Sequence, residues 1–149
     1  MKDNTMKLRP ATFDDEQLLL EWRNEPRARA NSSYTGEVTP EGHHVWLQRV
    51  MQDHETHLYI AEVDGVPVGQ GRIERAWKAF SKKMDSAAIG YSIDVNARGK
   101  GYGKQLAGKL VNLAKHTHGY GLVMCRIKRG NMCSVRTAIT AGVNTIELF

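Results

Sequence analysis

Ala87-Ala-Ile-Gly-Tyr-Ser-Ile-Asp-Val95 alternates apolar residues with small or polar ones, and Arg98-Gly-Lys-Gly-Tyr-Gly103 follows, ahead of Leu106, Leu110 and Leu113 at helical spacing. A period of two that gives way to a period near 3.6 predicts a strand, a tight glycine turn and an amphipathic helix. A helix entered this way presents backbone N–H groups at the positive end of its dipole, where phosphate binds well. Gly99, Gly101 and Gly103 let the main chain come close to a ligand, and Arg98, Lys100 and Lys104 place positive charge at the rim. The spacing fits neither the Walker pattern nor the dinucleotide fingerprint.

The rest of the chain reads around this unit. Lys7 to Arg9 predicts a first strand, Thr12-Phe-Asp-Asp-Glu16 a helix start, and Thr39-Pro40-Glu41 a second one. Asn24 to Gly36 reads as a loop. His57 to Val63, then Asp64-Gly65, then Val66 onward predicts a β-hairpin, and Trp77 to Asp85 an exposed loop. Downstream come a strand from Leu122 to Lys128, a helix from Ser134 to Ala141 stopped by Gly142, and a short strand from Thr145 to Phe149. The order βααβββαβαβ predicts one α/β domain over residues 1–149, built on a mixed central sheet.

Composition narrows the function classes. The 149 residues carry 21 Lys and Arg against 16 Asp and Glu, a net charge of +5 that suits an anionic ligand without choosing one. Cys125 and Cys133 match neither a redox nor a zinc spacing, and His43-His44 and His116-x-His118 lack a third ligand, so no metal site is expected. Met1 to Lys7 has no apolar stretch resembling a secretory signal, and no later run approaches membrane-spanning length. A cytoplasmic protein that binds neither membrane nor nucleic acid is the expectation.

The R-G-x-G-x-G loop after such a strand resembles the acyl-CoA loop of the GNAT superfamily of N-acetyltransferases. Asn131-Met-Cys-Ser134, with Ala141-Gly142 closing the next helix, resembles that family's N-x-x-S...G segment. The resemblance implies the GNAT fold, with acetyl-CoA as co-substrate. Ile93, Asp94 and Val95 would pair their backbone with the pantetheine arm, Arg98, Gly99, Lys100, Gly101, Tyr102, Gly103 and Lys104 would hold the diphosphate, and Asn131 and Ser134 would contact the cofactor further along.

Glu21-Trp-Arg-Asn24 and His43-His-Val-Trp46 are similar to the enzymes that acetylate nucleotide-linked 4-amino sugars in the pseudaminic acid pathway, and to RimJ/RimL-like enzymes that acetylate protein N-termini. On that similarity Arg23, Asn24, Tyr34 and Trp46 would line a pocket for a small-molecule amine. The other reading makes Trp22 and Trp46 core aromatics and Arg23 a surface or ion-paired residue.

The catalytic half departs from the family pattern. Its usual glutamate positions hold Ala87 and Arg126, and its usual tyrosine, seven residues after the Asn, is Ala138. A water chain ending on Glu74, Tyr91 or Ser92 is the candidate base, Tyr91 the candidate acid if it faces the cleft, and a solvated Glu74 the plainer reading. Only Val143 to Phe149 follow Gly142, where the family continues through two strands; a missing final strand and a homodimer that closes the sheet edge are therefore expected. The leading reading is an amine acetyltransferase acting on a nucleotide-linked amino sugar, with a protein N-terminal acetyltransferase and a catalytically weak CoA-binding module as alternatives.

Overall fold

The computed structural model describes residues 5–76 and 85–149. Six strands, β1 Met6–Pro10, β2 Thr56–Val63, β3 Val66–Arg75, β4 Ser86–Ile93, β5 Leu122–Ile127 and β6 Thr145–Leu148, lie side by side in chain order. The first four are antiparallel neighbours, while β5 runs parallel to β4 and β6 parallel to β5. The β2–β3 turn uses Asp64 at φ 53° and Gly65 at φ 76°, the pair of positive dihedrals a two-residue hairpin turn demands. Most of the predicted loop from Trp77 to Asp85 falls outside the described residues; Asp85 itself pairs with Arg75 at 2.7 Å.

Among the described residues, five α-helices flank the sheet: α1 Glu16–Asn24, α2 Pro26–Ala30, α3 Pro40–Gln52, α4 Tyr102–Asn112 and α5 Met132–Ala141. Side chains on one sheet face, including Val68, Ile73, Ala87, Ile89, Val123 and Cys125, bury against Leu106 and Leu110 of α4 and Ala138 of α5. On the opposite face Leu58 and Ile60 pack with Leu19 and Trp22 of α1 and Leu47 and Val50 of α3. The predicted order holds except for α2, which replaces part of the expected loop. Pro26 at its first turn and Glu25 as N-cap, accepting from the N–H groups of Arg27 and Ala28, start a helix that has no apolar stripe to announce it.

The sheet is not continuous across its middle. β4 pairs with β5 only from Ser86 to Ala88, and the two strands part beyond that point. This opening positions the site. At the other limit β6 is an edge strand, where the expected dimer would pair.

Candidate active site

Strand alternation determines what faces the opening between β4 and β5. The Asp94 N–H donates to the Val68 carbonyl and the Ser86 carbonyl accepts from the Ala76 N–H, so the even-numbered residues of β4 address β3. Ile89, Tyr91 and Ile93 therefore turn their backbone groups away from β3 and toward the opening. The Arg98 Nε donates to the Ile93 carbonyl at 3.2 Å, in keeping with that direction.

Of Ile93, Asp94 and Val95, expected to pair with the pantetheine arm, Ile93 lies on the strand edge that faces the opening. Ile93 ends the strand, and Val95 begins a 3-10 turn, Val95–Ala97, with its side chain exposed. Asp94 is spent on its own scaffold: its carboxylate accepts from the Asn96 N–H at 2.8 Å and from the Trp22 indole N–H at 2.7 Å. Its carbonyl accepts from the Ala97 N–H.

The glycine loop is as open as its sequence promises. Gly99 and Gly101 both sit at φ 80°, and Gly101 is the N-cap of α4. A side chain added at either would meet nothing within 4 Å, so glycine is required there by the dihedral and not by local crowding. The first N–H groups of α4, on Tyr102, Gly103 and Lys104, have no acceptor inside the helix, and Lys100 and Lys104 are exposed beside them. Arg98 does not belong to that rim. Its guanidinium is 2.7 Å from the Glu25 carboxylate, which it holds down at a pKa of about 2, with the Arg27 and Ala28 N–H groups adding to the effect.

At the start of α5 the Asn131 side-chain oxygen accepts from the Ser134 N–H at 3.4 Å. The N-x-x-S spacing is therefore a capping distance, and that oxygen and that N–H serve the helix before any ligand. Unpaired backbone at the strand edge, a left-handed glycine loop and the positive end of α4 fit an extended ligand carrying a diphosphate. The residues present fit coenzyme A. Among the described residues, no group of three or more His, Cys, Asp or Glu could hold a metal ion.

The three expected catalytic residues do not converge. Tyr91 points with Ile89 and Ile93 into the α4 and α5 side, where its hydroxyl is buried without a partner. Burial, with the Cys125 and Cys133 thiols nearby, pushes its pKa well above the usual phenol value. Ser92 lies on the opposite face, its oxygen accepting from Gln70 Nε2 at 3.0 Å. Glu74 shares that face but pairs in register with Ala88, four residues along β4 from Ser92, or about 13 Å. Its carboxylate is 3.5 Å from Arg72. A water chain ending on Tyr91 would therefore run on the opposite sheet face from one ending on Ser92 or Glu74. Arg126, at one of the family's glutamate positions, pairs with Glu147 at 3.3 Å and lies over the Phe149 ring.

On the acceptor side the expected lining divides. Asn24 is consumed by the backbone of Val38, donating to its carbonyl and accepting from its N–H, both at 2.8 Å. Trp46 is half-buried against the α1 and α3 cluster and tilts toward the His43 ring at 5.2 Å, so it supports the wall instead of presenting a contact. Arg23 donates to the Tyr34 carbonyl at 3.0 Å, and Tyr34 is 61% exposed. Sequence reasoning missed Glu25 and Lys128. Lys128, at the end of β5, donates to the Ala30 carbonyl at 2.8 Å, so α2 bridges from Arg98 after β4 to Lys128 after β5, across the mouth of the opening.

With this geometry stands a family match: residues 5–144 match the acetyltransferase (GNAT) domain. The chain belongs to that family and is an acetyl-CoA-dependent N-acetyltransferase of GNAT type. Among solved structures it is similar to the aminoglycoside acetyltransferase AAC(6')-Ib in complex with ribostamycin and coenzyme A. There the TM-score is 0.79 and the identity 21%, over 93% of this chain and 82% of that one. It is also similar to spermidine N-acetyltransferase from Vibrio cholerae in complex with CoA and spermine, at 0.79 and 12% over 94% and 81%. A third is ribosomal-protein-alanine N-acetyltransferase from Brucella melitensis, at 0.74 and 26% over 91% and 83%. No curated protein matches the chain in sequence.

Proposed function

We propose that this enzyme acetylates the primary amine of a nucleotide-linked amino sugar, which approaches from the α1 and α3 side of the β4–β5 opening. The observation that carries the reading is the charge of that wall. Arg23, Arg29 and Lys128 gather around α2 with Glu37 as the exposed carboxylate beside Arg29, while Glu25 is committed to Arg98 and the charge of Arg126 on β5 is balanced by Glu147. Such a wall repels polycations and attracts an acceptor with negative charge.

When bound, acetyl-CoA supplies the acyl group as a thioester. With the thioester in the opening, the backbone N–H groups on the free edge of β4 would donate to the carbonyl oxygen as negative charge develops there. The Tyr91 hydroxyl, kept protonated by burial and free of any other partner, is the proton donor on the opposite side. Ser92 lies on the acceptor side, where the amine proton leaves; Glu74 is too far along β3 to receive it except through water. Similarity to a ribosomal-protein-alanine acetyltransferase supports a second acceptor, a peptide N-terminus. Thiol release from acetyl-CoA, measured with UDP-linked 4-amino sugars, N-terminal peptides, kanamycin and spermine, tests the choice. The highest kcat/KM is expected for the sugar nucleotide; preference for either polycation refutes the reading.

A further inference from the structure

Beneath α2 lies an open groove of about 420 Å³, lined by Pro26, Arg29, Ala30, Thr35 and Lys128. What sets it apart is charge left over after local bonding. The Arg29 Nε donates to the Thr35 carbonyl at 3.1 Å, and its Nη1 is 3.7 Å from Glu37, a carboxylate that is itself 76% exposed and so a weak counterion. Lys128 uses one of its three donors on Ala30. Behind them Arg23 Nη1 is buried with no partner, and Arg23 is destabilised as a cation by burial and by the charge of Arg29. Glu25, the carboxylate nearest in sequence, is held by Arg98 and by the N–H groups of α2.

Cations held close together, with one solvent-facing carboxylate among them, call for an anion. Hydrogen bonds between Arg or Lys and phosphate oxygens are of the charge-assisted kind that repay such an arrangement. We propose that this groove is the acceptor's phosphate subsite, where Arg29 and Lys128 hold a phosphate or diphosphate ester and Arg23 adds its field from behind. The proposal rests on the amino-sugar reading and makes it specific. α2 spans the mouth of the opening, so an acceptor anchored here by its phosphate would extend its amine past Ser92 toward the free edge of β4. The site is distinct from the glycine loop: none of the residues that line the groove belongs to the segment from Arg98 to Lys104.

The probes are UDP and inorganic pyrophosphate, titrated calorimetrically into the full chain with coenzyme A saturating, so that the glycine loop is already filled. UDP is expected to bind under these conditions, and Arg29→Gln and Lys128→Gln each to weaken it about tenfold, with coenzyme A affinity unchanged. Lys128→Arg should restore binding. Loss of UDP binding on adding coenzyme A would place the phosphate in the glycine loop and overturn the proposal, as would equal affinity in wild type and Arg29→Gln. An acidic peptide that binds where UDP does not would also overturn it. Should Lys128→Gln lower the melting temperature through its lost bond to Ala30, Arg29→Gln decides alone. Failure of transfer to every sugar amine, with UDP binding intact, would instead refute the proposed function and leave the phosphate site standing.

Discussion

The indole N–H of Trp22 donates to the Asp94 carboxylate across 2.7 Å, joining α1 to the end of β4 between residues 72 positions apart. One turn further on, Arg98 makes the parallel connection to Glu25, also at 2.7 Å. Together they fasten the α1–α2 corner, which walls the acceptor side, to the turn that enters the glycine loop. The wall and the cofactor loop are one mechanical unit, so a change on one side is expected to register on the other.

A double-mutant cycle tests that unit. Glu25→Gln and Arg98→Met should each lower stability, with a coupling of about 1–3 kcal/mol. Both should also weaken acetyl-CoA, although Glu25 is not in the loop. If Arg98 instead gripped the diphosphate directly, only Arg98→Met would weaken it, and Glu25→Gln, by releasing the guanidinium, would tighten it.

Replacing Tyr91 by Phe separates chemistry from packing. The hydroxyl is buried without a partner, so its removal should leave the melting temperature unchanged or raise stability by about 1 kcal/mol. Turnover should nevertheless fall about 10²-fold, with acetyl-CoA affinity retained. A variant as active as wild type would remove Tyr91 from the mechanism.

Stability should decline below neutrality through the histidines near the end of α4. His57 and His118 stack with ring centres 3.8 Å apart, and Tyr59 shares a 2.9 Å hydrogen bond with His118. Burial holds both below the usual histidine pKa; the neighbouring His118 lowers His57 further, and Asp53 partly offsets this. The folded protein thus keeps both rings neutral, while the unfolded chain takes up protons from about pH 6.5 downward. Their contribution is complete above that pH and is lost as pH falls toward the depressed folded values. Melting curves between about pH 7.5 and about pH 5.5 should show the loss, and His57→Gln should flatten it. An identical pH slope in the variant would contradict the assignment.

Much of this was legible from local pattern. Alternation from Ala87 to Ile93, the glycines after it and the leucines of α4 encode their structure within a few residues of one another, so β4, the loop and the helix were readable. The same alternation separates Tyr91 from Ser92 by placing them on opposite faces, so the two alternatives for the end of a water chain lie on different sides of the sheet. What was not readable depends on distant partners. Pro26-Arg-Ala-Arg-Ala30 has no apolar period, and its helix is held by Arg98 and Lys128 from the far half of the chain. Asp94 and Arg98 look like ligand residues until Trp22 and Glu25 are brought beside them.

The central claim is that the free edge of β4 and the left-handed glycine loop together hold acetyl-CoA, and calorimetry on Gly101→Val tests it most directly. Valine at φ 80° is strained, so the loop should lose its shape and the affinity should fall about 100-fold from that of wild type. Gly108→Ala, inside α4 where an added methyl meets nothing, serves as the control and should bind as wild type does. Equal affinity in Gly101→Val and wild type, or no binding by wild type at millimolar acetyl-CoA, would contradict the account.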